Sequence, residues 1–106
     1  MNRFMRMIVL FDLPVQTKKQ RHAAASFRNF LLKDGYTMLQ YSVYVRVCNG
    51  LDAVQKNRIR LYDHLPDDGS ARLLVITEKQ FASIEILLGT LTQADQPFAE
   101  EQITIL

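Results

Sequence analysis

The chain has 106 residues, 48% of them apolar and 23% charged, with a formal net charge of +2. These figures exclude a second core and a disordered chain, and no apolar run reaches the roughly 20 residues of a membrane-spanning helix. A lone cysteine, Cys48, excludes a disulfide within the chain. With no signal-peptide pattern at its start, the sequence fits a reducing, cytoplasmic setting and a single domain over residues 1–106.

The small net charge hides an asymmetry. Residues 1–60 carry eleven Lys/Arg against three Asp, a net +8, whereas residues 61–106 carry two against eight, a net −6. One half is thereby suited to a polyanion while the other returns the chain to near neutrality.

Residues 5–12 begin as an apolar run that reads as a buried strand. The strand stops at one carboxylate, Asp12, because Pro14 has no amide hydrogen for a ladder and turns Leu13 away from helix. Asp12 then either caps the turn through the backbone, or holds a divalent metal or faces a phosphate-rich ligand. Thr17-Lys18-Lys19-Gln20 has the capping-box pattern, so a helix is predicted to about Asp34, closed by Gly35 in a left-handed conformation. Ala23, Ala24, Phe27, Phe30 and Leu31 share one side of it, and Lys18, Arg21, Ala25 and Arg28 the other. An apolar face should pack on a sheet while a basic face borders Asp12.

Residues 36–39 and 42–47 alternate with a period of two and read as strands joined at Gln40-Tyr41 by a tight bend or a bulge. After the Asn49-Gly50 turn, Asp52 is placed to cap a second helix to about Leu65, with Leu51, Val54, Leu61, Tyr62 and Leu65 on its apolar face. Pro66-Asp67-Asp68-Gly69 is a turn, residues 71–77 a fourth strand and residues 78–83 a helical turn. Residues 84–88 fit a short strand or a helix, stopped by Gly89. Residues 90–102 read as a surface excursion, and Ile103-Thr104-Ile105-Leu106 as a tail strand that needs an edge to pair with, such as that of a second copy.

The order strand, helix, strand, strand, helix, strand is that of an α+β, ferredoxin-like split βαβ domain with further strands after it. Helices cover one face of its antiparallel sheet. The other face still needs burial, and a two-fold homodimer with facing sheets supplies it.

His22 and His64 stand apart from each other and from Cys48, so zinc spacing is missing, and the four glycines form no phosphate loop. Asp12 is the only carboxylate placed by strand geometry. One carboxylate makes a poor magnesium site. Two copies of Asp12 brought together by a dimer would make a shared Mg2+ site, where the ion activates water or bridges a phosphodiester oxygen.

Leu10-Phe11-Asp12-Leu13-Pro14, then Gly35-Tyr36 with Gln40-Tyr41-Ser42-Val43-Tyr44, then Thr77-Glu78-Lys79-Gln80-Phe81 together resemble the CRISPR-associated protein 2 family. That family is the small subunit of spacer adaptation, and the last motif is similar to members accompanying single-effector nuclease systems. The resemblance runs in order along nearly the whole chain. Many members have tyrosine where Phe11 stands, so any role of that hydroxyl is absent here. The resemblance implies a ferredoxin-like homodimer whose tail strands pair across the interface. It places that dimer at the centre of a complex with the integrase CRISPR-associated protein 1, which inserts short foreign DNA into the CRISPR array. It also implies magnesium-dependent endonuclease activity on single-stranded RNA or double-stranded DNA, with Asp12 as catalytic metal ligand. Phosphate contacts carry over onto Lys18, Lys19 and Arg21, and Arg28 extends that stripe. Backbone contacts of this kind bind without reading sequence. The alternative on the same fold is a toxin-like endoribonuclease or a small-ligand regulatory module.

Overall fold

The computed structural model describes residues 3–97. Its strands are β1 (Phe4–Asp12), β2 (Thr37–Gln40), β3 (Val43–Asn49) and β4 (Ser70–Thr77). Its helices are α1 (Lys18–Lys33), α2 (Leu51–Asp63) and α3 (Glu78–Ala82), followed by a 3-10 turn at Gln93–Asp95. The chain runs β1-α1-β2-β3-α2-β4-α3, and the sheet is ordered β2-β3-β1-β4 with each neighbouring pair antiparallel. This is the ferredoxin-like α+β arrangement expected from the sequence. No helix among the described residues is long and apolar enough to cross a membrane. The expected tail strand at 103–106 lies outside the described residues.

β1 pairs without a bulge on both sides, with Met5 opposite Cys48 and Thr77 and Leu10 opposite Val43 and Arg72. Its side chains therefore alternate strictly between the two faces. Met7, Val9 and Phe11 join Phe27 and Leu31 of α1, Tyr44 of β3 and Leu61 of α2 in the main core. Phe11 meets Phe27 edge-on at 5.3 Å and stacks on Tyr44 at 5.6 Å, both arrangements that aromatic quadrupoles favour. The entry of α1 is fixed as the sequence predicts. Thr17 Oγ1 accepts from the Gln20 amide at 3.1 Å, and Gln20 Oε1 accepts from the Thr17 amide at 3.1 Å, which satisfies amides that the helix itself cannot. The helix closes at Asp34, ahead of Gly35 at φ +96°.

Arg6, Ile8, Leu10 and Asp12 take the opposite face of the sheet. The sequence reading leaves that face bare, but the chain covers part of it. Phe81 of α3 and Ala94 of the 3-10 turn pack on Ile8 and Val45. The fastener is the buried Arg6 side chain. Its Nε donates to Glu78 Oε2 at 2.5 Å and its Nη2 to Glu78 Oε1 at 2.8 Å. Nη1 donates to the Ala94 carbonyl and Nη2 to the Gln96 carbonyl, both at 3.1 Å, and the guanidinium lies 4.1 Å above the Phe81 ring centre. A buried charge is costly unless it is paired and hydrogen-bonded, and both conditions are met here. The excursion expected after residue 90 is thus anchored to the sheet over its described part.

Several local expectations change. β2 begins at Thr37, while Tyr36 turns its ring into the main core with its hydroxyl 4.0 Å from Met7 Sδ. The connection after Gln40 is the tight bend of the two foreseen, with Ser42 at φ +63° and Gln40 paired with Val43 across it, and the pairing slips one step earlier, between Met38 and Gln40. Gly50, at φ +89°, is the cap of α2, and Asp52 sits in the first turn; the chain enters this helix through a conformation that suits glycine. The buried stripe of α2 is Val54, Asn57 and Leu61, while Leu51 and Tyr62 are each 70% exposed and Leu65 is exposed too. Asn57 is admitted because its amide donates to Cys48 Sγ at 3.1 Å. Residues 84–88 form neither strand nor helix; they pair with no described strand, and Leu87 and Leu88 are 92% and 96% exposed.

Arg6→Met should lower the unfolding free energy by about 3–5 kcal/mol, because it leaves the Glu78 carboxylate buried without its arginine. The double variant Arg6→Met/Glu78→Met should recover much of that loss. Equal urea midpoints for the wild type and Arg6→Met would contradict this role of the pair. Tyr36 gives a second test. Burial, against the smaller pull of Arg46, raises its phenol to about 12. The folded state then keeps a proton that the unfolded chain loses near the ordinary value of 10. The resulting stabilisation, on the order of 2 kcal/mol, is complete below about pH 10 and is lost as the pH rises toward about 12. Urea unfolding across that range should show a steeper alkaline loss in the wild type than in Tyr36→Phe.

Candidate nucleic-acid interface

α1 carries Lys18, Lys19, Arg21, Arg28 and Lys33 and not one Asp or Glu. Lys18, Lys19 and Arg21 are exposed, and Arg28 is half-buried. None of them forms an ion pair among the described residues. Arg21 is steered by carbonyls instead: its Nη1 donates to Val15 O at 3.1 Å and to Gln16 O at 3.0 Å, which folds it back over the helix entry. Cations in a first turn oppose the helix dipole at about 0.3–1 kcal/mol each. No acidic residue in the first turn of α1 offsets that cost. The same end of a helix attracts phosphate.

Three other arginines of the positive half are paired within the chain. Arg6 is held by Glu78. Arg60 Nε donates to Asp34 Oδ1 at 2.8 Å, and Arg46 Nη1 lies 3.6 Å from Asp34 Oδ2, so one carboxylate ties the end of α1 to β3 and α2. The +8 counted from the sequence therefore narrows, and five of the eight cations of that half without an ion pair among the described residues stand on α1, with Arg3 on the lead-in and Lys56 and Arg58 on α2.

Asp12 ends β1 on the face opposite α1, in line with Arg6, Ile8 and Leu10. The expected border between the basic helix face and this carboxylate does not form, because alternation along the strand sends the two to opposite sides of the sheet. Asp12 is exposed and makes no side-chain hydrogen bond or ion pair among the described residues. Ser70 stands opposite it on β4 and Arg72 stands on the diagonal, about 7–8 Å away by strand geometry. Gly69, at φ +101°, packs under the bend that follows: a Cβ there would sit 2.7 Å from Asp12 O. No group of three or more His, Cys, Asp or Glu that could hold a metal occurs among the described residues. Magnesium uses one or two carboxylates with waters and substrate oxygens. Asp12 alone thus fits Mg2+ only as part of a site that substrate or a second copy completes.

Sequence reasoning missed Glu78, Gly69 and Arg72 at this level. The glycine was visible as a turn residue, but its packing under Asp12 was not. Phe11 also takes a place: its ring lies in the main core, on the face away from the Asp12 carboxylate.

The motifs that carried the resemblance in the sequence now lie on β1, on the β2–β3 bend and on α3, and the model of the family described as CRISPR associated protein Cas2 matches residues 5–84. The chain belongs to the Cas2 family. The CRISPR-associated endoribonuclease Cas2 of Acidovorax ebreus is 58% identical over 85 residues, 80% of this chain and 83% of that protein. The Cas2 of Campylobacter jejuni, of the same name, is 41% identical over 104 residues, 98% of this chain and 73% of that protein. The Cas2 of Ligilactobacillus salivarius is 38% identical over 101 residues, 95% of this chain and 100% of that protein. The Cas2 family match runs from β1 through α3, so the Arg6–Glu78 fastener falls within it and the exposed apolar residues Leu87 and Leu88 fall beyond it.

Gly69→Ala should cost more than about 1 kcal/mol, since the new methyl meets the Asp12 carbonyl and the backbone conformation is strained for alanine. Thermal unfolding checks this, and an unshifted midpoint would show that the bend beneath Asp12 tolerates a side chain.

Proposed function

We propose that two copies of this chain join through the sheet face that bears Asp12, and that the dimer serves CRISPR spacer acquisition by binding double-stranded DNA beside the integrase CRISPR-associated protein 1. The observation that supports this reading best is the composition of α1. Five Lys/Arg on sixteen residues, without a carboxylate, form a surface for a polyanion. In a two-fold dimer the surface is displayed twice. Lys18, Lys19, Arg21 and Arg28 then contact phosphates and read no bases, as a scaffold for unrelated DNA fragments requires. The open face supports association as well: Leu10 and Leu74 stand next to Asp12 and Arg72 on it, 39% and 50% exposed. The setting is the cytoplasm, where the array is.

Replacing Lys18, Arg21 and Arg28 together by Ala should weaken duplex binding and flatten its salt dependence, by about 0.9 in slope for each phosphate no longer neutralised. Affinity and slope equal to those of the wild type would remove α1 from the interface.

A second reading has its own support. Asp12 is exposed and has no partner among the described residues, and the relatives carry the name endoribonuclease. Two Asp12 carboxylates from facing copies would hold one Mg2+, with its remaining ligands from water and phosphodiester oxygens. The ion would supply charge stabilisation at the phosphodiester and a more acidic water. The residues of the chain itself would position the strand: Arg72 stands on the same face, within reach of a phosphate bound beside Asp12. Asp12→Asn should abolish magnesium-dependent cleavage of single-stranded RNA or duplex DNA while leaving duplex affinity within about two-fold. Cleavage that persists in Asp12→Asn would sink the nuclease reading and leave the scaffold reading standing.

A further inference from the structure

His64 closes α2, and its ring is held from two directions. Its Nδ1 lies 2.8 Å from the Arg60 carbonyl, and the imidazole stacks on Phe30 of α1 at 3.9 Å between ring centres and 8° between planes. The residue is nevertheless exposed. It borders an open groove of about 440 Å³ between α1 and the end of α2, with His22, Ser26, Asn29, Phe30 and Lys33 along the helix side. Among the described residues no carboxylate lines that groove. Lys18, His22, Ser26, Asn29 and Lys33 follow one another at spacings of four, four, three and four, so they form a single ridge of α1. The groove is therefore continuous with the cationic entry of the helix.

We infer that this groove seats one unpaired nucleobase of a bound nucleic acid, stacked against His64. The inference rests on the nucleic-acid reading above and names a feature of the ligand that the reading does not. The chemistry is complementary at each part. A flat ring fixed in place stacks a base at little entropic cost, and it does so whatever the base, because every base has a π-face. The Asn29 amide presents a donor and an acceptor to a base edge, and the Ser26 hydroxyl can serve as either. Lys33 and His22 stand where the flanking phosphates of the strand pass along the ridge. Bases within a duplex have no free face to offer, so the ligand must contain single-stranded nucleotides, as an overhang of DNA or as RNA. A histidine that served only to close α2 would bond the Arg60 carbonyl and contribute nothing to the discrimination between paired and unpaired ends.

The test uses the full chain and three probes: a blunt DNA duplex, the same duplex with a 2-aminopurine overhang, and an RNA strand of the overhang sequence. The wild type should quench 2-aminopurine on binding. His64→Ala should weaken the overhang duplex or the RNA by about five- to a hundred-fold and leave the blunt duplex unchanged. His64→Phe, which keeps the ring and loses the carbonyl bond, should restore most of the affinity. Which of the two single-stranded probes responds identifies the source of the base. Equal losses on blunt and overhang duplexes, or no loss in His64→Ala, would overturn the inference, as would a His64→Phe no better than His64→Ala. A wild type that binds none of the three probes would overturn the nucleic-acid reading along with it.

Discussion

β1 is hydrogen-bonded on both edges without a bulge, so its side chains have no freedom to trade faces. Met7, Val9 and Phe11 are committed to the core beneath α1 and α2, and Arg6, Ile8, Leu10 and Asp12 are committed to the other side. A slip of one residue would bury Asp12 among aromatics and expose Phe11. The placement of every functional group follows. The cations of α1 lie over one face, the exposed Asp12 carboxylate stands on the other beside Arg72, and the sheet separates the two.

Arg6 has an unusual position within this scheme. It stands in the middle of a strand, on the face without the two long helices, where an apolar residue would be the cheaper choice. The structure resolves the cost by bringing Glu78 and two carbonyls from residues 94 and 96 to its guanidinium. A buried ion pair is weak evidence for stability, because apolar replacements often do as well. What it supplies here is placement: α3 and the 3-10 turn have one seat on the sheet, and the segment that leads toward the C-terminus leaves from a fixed point. α1 shows the opposite choice. Its first-turn lysines act against the helix dipole, and no acidic residue of that turn offsets them. Under the proposed function a nucleic-acid backbone supplies the counter-charge that this turn lacks.

Much of the fold could be read along the chain because its signals are local. Pro14 ends β1, Thr17 and Gln20 start α1, and Gly35 closes it, each through contacts within a few residues. The misses are long-range or depend on a single partner. Glu78 looks like the first residue of a surface helix, and its arginine lies 72 positions away. Asn57 breaks the apolar stripe of α2 because Cys48 offers it a sulfur acceptor, while Leu51 and Tyr62 satisfy the pattern and remain in solvent. The end of β1 was legible, and the side of the sheet that Asp12 takes required the register of both neighbouring strands. Of the candidate site, the cations of α1 were visible from spacing. Their lack of ion pairs among the described residues was not, since it depends on where Asp34 and Glu78 place their charges.

Association of two copies on the Asp12 face is measured most directly by sedimentation velocity of the wild type and of Leu10→Arg, which places a charge at the centre of that face without touching the main core. The wild type should sediment as a dimer at micromolar concentration, and Leu10→Arg as a folded monomer with an unchanged circular dichroism spectrum. A monomeric wild type, or a Leu10→Arg protein that still sediments as an intact dimer, would contradict association through this face.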